Sequence, residues 1–188
     1  MRKVNVFNSV TLDGYFSGAG GDLSWAHNAP PDAEFLDFVE ENAKGGGELL
    51  FGRVTHDLMA GYWPTPEALQ ANPVVAERMN GLPKVVFSRT LKSSPWSNTR
   101  VVNGDPAAEV RKMKESPGED MVILGSGSIV SQLTKAGLID DYQVVMIPVV
   151  LGKGKTMFDG IPEKRALRLI NSRKFGNGNV FLRYQATA

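Results

Sequence analysis

The chain has 188 residues, of which 21 are Lys or Arg and 20 are Asp or Glu, so its formal net charge is +1. This length predicts a single domain, and scattered basic residues with so small a net charge argue against a nucleic-acid partner. The absence of cysteine excludes disulfides, thiolate metal sites and cysteine nucleophiles. No apolar stretch reaches the roughly 20 residues that span a membrane, and the N-terminus lacks a signal-peptide pattern. We therefore expect a cytoplasmic protein with no membrane partner.

Strand-like and helix-like segments alternate along the chain. Apolar and period-two patterns predict strands at residues 4–10, 48–52, 84–88, 100–103, 121–124, 142–151 and 180–185. Helical spacing predicts a helix that follows Pro30 and Pro31 and ends at 45–47, helices at 106–115 and 128–136, and a short helix near 74–79. This alternation predicts one α/β domain over residues 1–188, with a mixed, mainly parallel sheet between two helix layers and an antiparallel C-terminal edge.

Two irregular stretches interrupt this pattern. Residues 14–28 contain four glycines and no hydrophobic period, which predicts a mobile surface loop, placed after the first strand where a lid would lie. Residues 61–80 contain Pro64, Pro66 and Pro73. Neither stretch is predicted to be a domain boundary, because no complete core could form on either side of it.

Several familiar chemistries fit the sequence poorly. A serine hydrolase needs a base, and the α/β-hydrolase order places the histidine after the serine, whereas no histidine follows His56. His27 and His56 also lack the spacing of a metal site, so we expect none. The segment LGKGKT at 151–156 lacks the first glycine of a phosphate loop, because Val149 stands there. We interpret this segment as a hairpin or strand end.

Three junctions at predicted strand ends carry groups suited to an anion. They are Gly52, Arg53 and Thr55 after the second strand, Ser88 and Arg89 at the end of the third, and Gly125, Ser126, Gly127 and Ser128 after the fifth. Helix N-termini favour phosphate, and ligands of open α/β sheets lie at the carboxyl ends of the strands. Thr55 is also a candidate helix cap, and the alternative for the last junction is a tight turn capped by Ser126 or Ser128. The three junctions together favour a dinucleotide.

The order of five motifs resembles that of the dihydrofolate-reductase-like superfamily. The motifs are VTLDGYF, LLFGRVTHD, VVFSRTL, VILGSGSIVSQL and LIDDYQVVMIPVVLGKGKTMF. Within the superfamily, the chain is most similar to stand-alone relatives of the C-terminal reductase domain of the bifunctional riboflavin-biosynthesis protein. The resemblance covers nearly the whole chain. It implies an NADPH-dependent reductase, often a homodimer.

The resemblance also implies roles for individual residues. By position, cofactor phosphate would be bound by Gly52, Arg53 and Thr55, and the 2′-phosphate of the adenosine ribose by Ser88 and Arg89. The loop under the pyrophosphate would be Leu124, Gly125, Ser126, Gly127, Ser128 and Ile129. The nicotinamide side of the cofactor site would include Val10, Leu12 and Gly14. A cationic 2′-phosphate site predicts a preference for NADPH over NADH.

Fewer residues point to the substrate. Asp13, at a glycine turn after the first strand, is the candidate catalytic residue, and capping of its own turn is the alternative. Trp25 and Glu34 are candidate substrate-binding residues. The alternatives are packing of the loop for Trp25 and a solvated helix surface for Glu34, with Asp32 and Asp37 as further carboxylates on the same helix.

The sequence departs from the riboflavin enzyme at two positions. That branch reads D-G-K after the first strand and has an acid before the glycines, whereas here Tyr15 and Leu124 stand there. We predict a small planar heterocycle, pyrimidine- or pterin-like, as substrate. A reductase of flavins, quinones or xenobiotics and a non-catalytic NADP-binding module are the alternatives. The long apolar segment 142–151, in which Pro148 cannot donate to a ladder, predicts a sheet edge that pairs in a homodimer.

Overall fold

The computed structural model describes residues 1–27, 30–45 and 47–187. The strands of this described part are β1 (Val4–Thr11), β2 (Glu48–Gly52), β3 (Lys84–Phe87), β4 (Thr99–Val102), β5 (Met121–Leu124), β6 (Asp141–Ile147), β7 (Leu167–Lys174) and β8 (Val180–Ala186). The α-helices are α1 (Ala33–Lys44), α2 (Arg53–Tyr62), α3 (Pro66–Ala71), α4 (Pro73–Gly81), α5 (Pro106–Glu115) and α6 (Gly127–Lys135). None of the described helices is long and apolar enough to cross a membrane.

The strands form one sheet in the order β4-β3-β2-β5-β1-β6-β8-β7. The first six in this order are parallel, whereas β8 pairs antiparallel with β6, and β7 pairs antiparallel with β8. β5 lies between β2 and β1 although it follows both in the chain. The structure thus confirms the predicted mixed sheet with an antiparallel C-terminal edge.

Helices cover both faces of the sheet. On one face, Val110 of α5 and Leu133 of α6 pack in a core with Val4 of β1. On the opposite face, Phe38 of α1 packs against the β6 and β8 end of the sheet, and Met79 of α4 packs against β2 and β3. Because apolar strand residues face both helix layers, the fold is the predicted three-layer α/β/α arrangement.

The structure differs from the predicted elements at β7, α3 and β6. β7 was not predicted, because all its residues are exposed and no buried face imposes an alternating pattern. α3 was not predicted either, although Thr65 caps it by accepting a hydrogen bond from the N–H of Ala68. β6 ends at Ile147 rather than at residue 151, since Pro148 has no N–H to continue the ladder.

The strand predicted as the pairing edge is an interior strand. β6 lies between β1 and β8, and the edge strand on that side of the sheet is β7. The prediction that β6 is an edge available for pairing in a homodimer is therefore wrong. The homodimer itself stays a prediction.

The glycine-rich stretch predicted as a mobile lid is held by backbone hydrogen bonds at its beginning. The N–H of Thr11 donates to the carbonyl of Tyr15 over 2.9 Å, and the N–H of Phe16 donates to the carbonyl of Lys155 over 2.8 Å. Ser17 also forms an antiparallel bridge with Lys155. This explains the LGKGKT segment as the partner of residues 15–17. Residue 28, the last of the predicted loop, lies outside the described residues, as does Gly46 in the predicted helix end 45–47.

Candidate functional site

The three predicted junctions meet at one edge of the sheet. β3, β2 and β5 are parallel neighbours, so the turns that follow them leave the sheet side by side. The pairing of Gly52 with Phe87 ends both strands at the same level, so Arg53 and Ser88 both follow at this edge of the sheet. The carboxyl edge therefore gathers the residues that the sequence predicted for one anionic ligand.

The turns after β2 and β5 are cross-linked by two reciprocal hydrogen bonds. The N–H of Gly52 donates to Oγ of Ser126 over 2.7 Å, and the N–H of Ser126 donates to Oγ1 of Thr55 over 2.9 Å. The predicted helix caps are wrong as a consequence: α2 begins after Gly52 and α6 after Ser126 without any side-chain cap. Instead, both hydroxyls fix the distance between the two turns.

Gly125 occupies a position where a Cβ would clash with Thr55. Its φ is +62°, and a Cβ there would lie 2.6 Å from Cγ2 of Thr55. Ser126, which follows, also has a positive φ of 54°, a conformation uncommon outside glycine. The close approach brings the backbone of the β5 turn directly against the first turn of α2.

Asn8 anchors this turn from the neighbouring strand, and the sequence analysis did not select it. Its Oδ1 accepts from the N–H of Gly125, and its Nδ2 donates to the carbonyl of Gly125 and to Sδ of Met157. Asn8 is buried on β1 in the same alternating series as Val4, Val6 and Val10. A polar residue in such a series needs a buried partner, and this was the signal that could have identified it.

Positive potential accumulates at this edge. The leading N–H groups of α2 and α6 have no intrahelical partners, and both helices present their positive dipole ends here. Arg53, on the first turn of α2, is held by Asp57 through a 2.8 Å bond from Nη1 to Oδ2. Arg89 is exposed, and no hydrogen bond or ion pair engages its guanidinium within the described ranges. The edge can therefore bind an anionic ligand.

Ser88 shapes the turn that carries Arg89. Its Oγ accepts from the N–H groups of Thr90 and Leu91, and its carbonyl accepts from Nδ2 of Asn103 over 2.6 Å. β3 ends at Phe87, one residue before the predicted end, because Ser88 already belongs to this turn. The same Asn103 also donates to the carbonyl of Leu91, so residues 88–91 are held at two points.

The other half of the edge, after β1 and β6, presents apolar side chains. Leu12 is 60% exposed and Val150 is 65% exposed, and the N–H of Leu12 donates to the carbonyl of Val149 over 2.9 Å. Val10, by contrast, is buried in the core, so only its backbone is close to the edge. Gly14 has a φ of +82°, which explains the glycine of the predicted turn. This region offers an apolar surface next to the cationic one.

Apolar side chains pack around the β5 turn. Ile129, on α6, is buried, and its Cγ1 lies 3.3 Å from where a Cβ on Gly52 would be. Leu124 packs in the cluster on the opposite face. The ring of Phe16 covers Gly127, whose Cβ would lie 3.2 Å from Cδ1 of that ring. The first turn of α6 thus packs tightly against Phe16 at Gly127, a contact that the sequence analysis did not predict.

Asp13 joins the loops after β1 and β6. Oγ1 of Thr11 donates to it over 2.6 Å, and the N–H groups of Gly152 and Leu151 donate over 2.7 Å and 3.1 Å. The hydrogen bond from Thr11, followed by those from the two N–H groups, lowers the pKa of Asp13 below its ordinary value. A carboxylate that stays ionised suits a positioning role better than the donation of a proton, and its bond to Thr11 agrees with the turn-capping alternative.

The two candidate substrate-binding side chains are engaged elsewhere. Trp25 is 5% exposed, packs in the core cluster with Phe175, and donates from Nε1 to the carbonyl of Asp22. Glu34 forms a 2.6 Å ion pair with Arg173 of β7. These contacts favour the alternatives of loop packing and helix surface over substrate binding.

Asp32, one of the two further carboxylates considered, has structural contacts at the start of α1. Asp32 is the N-cap of α1, where it accepts from the N–H of Phe35, and it also accepts from the N–H of Asn177. The hydrogen bond from Phe35 lowers the pKa of Asp32 most; burial opposes it, and the bond from Asn177 adds a smaller lowering effect. Asp32 thus ties the start of α1 to the turn between β7 and β8.

A separate cleft lies at the opposite edge of the sheet. It has a volume of about 450 Å³ and is lined by residues near the amino ends of β2, β3 and β5, including Arg2, Glu48 and Arg78. Arg2 is already paired with Glu48 over 2.7 Å. Since ligands of open α/β sheets lie at the carboxyl ends, this cleft does not replace the site described above.

Comparison with known proteins identifies the family and the fold of the chain. A family model described as the RibD C-terminal domain matches residues 2–181. The protein YyaP of Bacillus subtilis (strain 168) is 31% identical over 183 residues, which cover 97% of this chain and 94% of YyaP. A Shewanella sp. PV-4 protein named for riboflavin biosynthesis superposes with a TM-score of 0.76 at 20% identity, covering 99% of each chain. Dihydrofolate reductase from Enterococcus faecalis, complexed with NADP(H), superposes with a TM-score of 0.62 at 17% identity, covering 99% of this chain and 97% of the reductase. The fold is dihydrofolate-reductase-like, and the chain belongs to the RibD C-terminal domain family.

Proposed function

We propose that this protein is an NADPH-dependent reductase of a small planar heterocycle, similar to the pyrimidine reductase of riboflavin synthesis or to dihydrofolate reductase. The observation that carries the proposal is the cross-link of Gly52 and Thr55 with Ser126. It holds the N-termini of α2 and α6 together at the carboxyl edge, next to Arg53 and Arg89. NADPH would supply the hydride.

The residues at this edge match the anionic groups of a dinucleotide. Two helix N-termini provide N–H donors for a pyrophosphate, and Gly125, whose missing Cβ makes room for Thr55, lets the two turns that carry these donors lie against each other. Arg89 would bind the 2′-phosphate, because its guanidinium is exposed and uncommitted among the described residues. The turn from Ser88 to Leu91 contains no acidic residue, so nothing on it repels the extra charge that distinguishes NADPH from NADH.

The apolar half of the edge suits the nicotinamide and the substrate ring. Leu12 and Val150, both largely exposed, would contact these rings and exclude water from them. Asp13 would hold the two loops that carry these side chains at a fixed distance through its bonds to Leu151 and Gly152. The family membership and the NADP(H) bound by the Enterococcus reductase support the same assignment.

The residues near the expected substrate position favour a ring without a charged substituent. Tyr15 stands where the riboflavin branch has a lysine, and its ring lies against Gly154. Leu124 stands where that branch has an acid and is partly buried in an apolar cluster. Neither side chain would bind a phosphoribosyl group. We therefore propose pterin-like and unsubstituted pyrimidine-like rings as the preferred substrates.

The experiment is NADPH oxidation by the purified protein against a panel of pterins, pyrimidines, flavins and quinones, together with a titration of NADPH alone. We expect binding and turnover with a pterin or pyrimidine. Turnover confined to flavins or quinones would show that the substrate belongs to those classes and not to the pterins or pyrimidines. Binding without turnover of any compound would indicate a non-catalytic NADP-binding module, and no binding at millimolar NADPH would refute the proposal.

A further inference from the structure

Four side chains form a continuous hydrogen-bonded chain between the first turn of α2 and the segment that links β3 to β4. Oδ1 of Asp57 lies 3.0 Å from Nδ1 of His56, and Nε2 of His56 lies 2.8 Å from Oγ of Ser94. The other carboxylate oxygen of Asp57 accepts from Arg53 over 2.8 Å. We call Arg53, Asp57, His56 and Ser94 the relay.

The chemistry of the partners determines the direction of each bond. The Asp57 carboxylate only accepts hydrogen bonds, so Nδ1 of His56 carries the proton. Nε2 then accepts from the hydroxyl of Ser94, whose oxygen in turn accepts from the N–H of Trp96 over 3.1 Å. Both ring nitrogens of His56 thus have partners. The buried His56 ring is therefore held in one orientation.

The same contacts occur in Ser-His-Asp hydrolases, but the environment of His56 differs from theirs. Its side chain is 2% exposed, and its ring packs against Trp96 with a centroid distance of 6.2 Å. A catalytic base must pass its proton to a leaving group, and a ring buried in this way cannot reach one. The relay holds a position and does not perform hydrolysis.

The segment held by Ser94 is the one that carries Arg89. Its first part is fixed by Asn103, which donates to the carbonyls of Ser88 and Leu91. Its second part is fixed to α2 by the bond between Ser94 and His56. The bond between Arg53 and Asp57 joins two half-exposed groups and contributes little by itself, so within the relay the bond from His56 to Ser94 is the one that fixes the segment to α2. The buried Trp96, which donates from Nε1 to Oδ1 of Asn80 over 2.8 Å, anchors the same segment to α4.

We propose that the relay is a specificity determinant that sets the position of Arg89 relative to Arg53, and thereby the preference for NADPH over NADH. The inference rests on the proposed function, because it needs a dinucleotide whose pyrophosphate and 2′-phosphate contact these two arginines. His56 and Ser94 are positioning residues, since neither has to touch the cofactor. Loss of their bond removes one of the contacts that hold the Arg89 segment, beside those of Asn103 and the buried Trp96, and lowers the preference for the extra phosphate.

The test compares dissociation constants for NADPH and NADH in Ser94→Ala and in Ser93→Ala. Ser93 is the matched control, because it is the exposed neighbour and its side chain forms no hydrogen bond within the described ranges. We expect Ser94→Ala to weaken NADPH by up to about tenfold, because the contact of Arg89 with the 2′-phosphate is weakened, and to leave NADH within about twofold. Ser93→Ala should leave both constants unchanged.

A pair of His56 variants separates the relay from simple packing. Gln at 56 reaches the position of Nε2 and keeps the bond to Ser94, whereas Asn reaches only the position of Nδ1 and keeps the bond to Asp57. Both variants lose the ring, so packing effects are matched. We expect His56→Gln to retain the preference for NADPH and His56→Asn to lose it, at similar melting temperatures.

The outcomes distinguish the relay from the proposed function. If Ser94→Ala weakens NADPH and NADH equally, or changes neither, while the wild type prefers NADPH, the relay inference is wrong and the proposed function stands. If the wild type binds no NADPH, the proposed function is wrong, and the relay inference is wrong as well because it rests on that function. If the His56 variants do not fold, the result with Ser94→Ala decides, because Ser94 is only partly buried on a surface segment.

Discussion

Gly125→Ala tests the close approach at the centre of the site. The added Cβ would lie 2.6 Å from Cγ2 of Thr55 and 3.1 Å from its Oγ1, well inside ordinary contact. The backbone must also keep a φ of +62°. The substitution should therefore destabilise the fold and displace the turn that the proposal assigns to the pyrophosphate.

Two free-energy costs contribute to the expected loss of stability in Gly125→Ala. A left-handed conformation costs a residue with a Cβ about 1–2 kcal/mol, and overpacking against an ordered side chain costs about 1–3 kcal/mol. We expect a loss of about 2–5 kcal/mol in the free energy of unfolding, a large part of the roughly 5–15 kcal/mol of a typical domain. Urea unfolding, with the slope unchanged, measures it.

Two further variants separate these costs. Gly137→Ala is the matched control, because Gly137 has a φ of +67° with no atom within 4 Å of its Cβ position, and it should lose only about 1–2 kcal/mol. Thr55→Ser removes Cγ2 but keeps the hydroxyl that accepts from Ser126, so it should recover about 1–2 kcal/mol of the Gly125→Ala loss. Equal losses at Gly125 and Gly137, or no recovery with Thr55→Ser, would refute the reasoning.

The remaining predictions concern three single residues. Burial lowers the pKa of Lys84 from 10.5 to about 8. Between about pH 8 and pH 10.5, Lys84 is protonated in the unfolded chain but not in the folded chain. The free energy of unfolding should therefore rise with pH over this range by up to about 3 kcal/mol. Lys84→Met should lack this rise in urea unfolding, and an identical rise in the variant would contradict the assignment. Asp13→Asn should slow NADPH oxidation without moving its pH profile between about pH 5 and 8, because the lowered pKa keeps Asp13 ionised there; a shifted profile would show that Asp13 titrates in the reaction. Arg89→Ala should raise the dissociation constant of NADPH about 10- to 100-fold by loss of a charge-assisted contact and leave that of NADH unchanged, which calorimetry would show; equal weakening would remove the 2′-phosphate role.

Much of the fold could be predicted because its signals are local. α5 has the predicted bounds, with Asp105 as N-cap and Pro106 in the first turn, and β2 and β5 also have the predicted bounds because their apolar runs end at turn residues. β7 has no such signal. Its eight residues are all exposed, so neither burial nor alternation separates it from a loop.

The site was predictable as a set of strand ends but not as a set of contacts. Gly52, Ser88 and Gly125 follow apolar strands, and parallel strands end at one edge. The bond between Thr55 and Ser126 joins residues 71 positions apart, and no local pattern encodes it. Trp25 shows the opposite case, since a glycine-rich setting suggested an exposed loop whereas the indole is buried against β6 and β8.

The most direct measurement of the central claim is a crystal structure of the protein soaked with NADP⁺. We expect the pyrophosphate at the leading N–H groups of α6 and α2, beside Gly125 and Arg53, and the 2′-phosphate within hydrogen-bonding distance of Arg89. A dinucleotide in the opposite cleft, near Arg2 and Arg78, would contradict the account, as would one bound at the carboxyl edge without contact to either helix N-terminus.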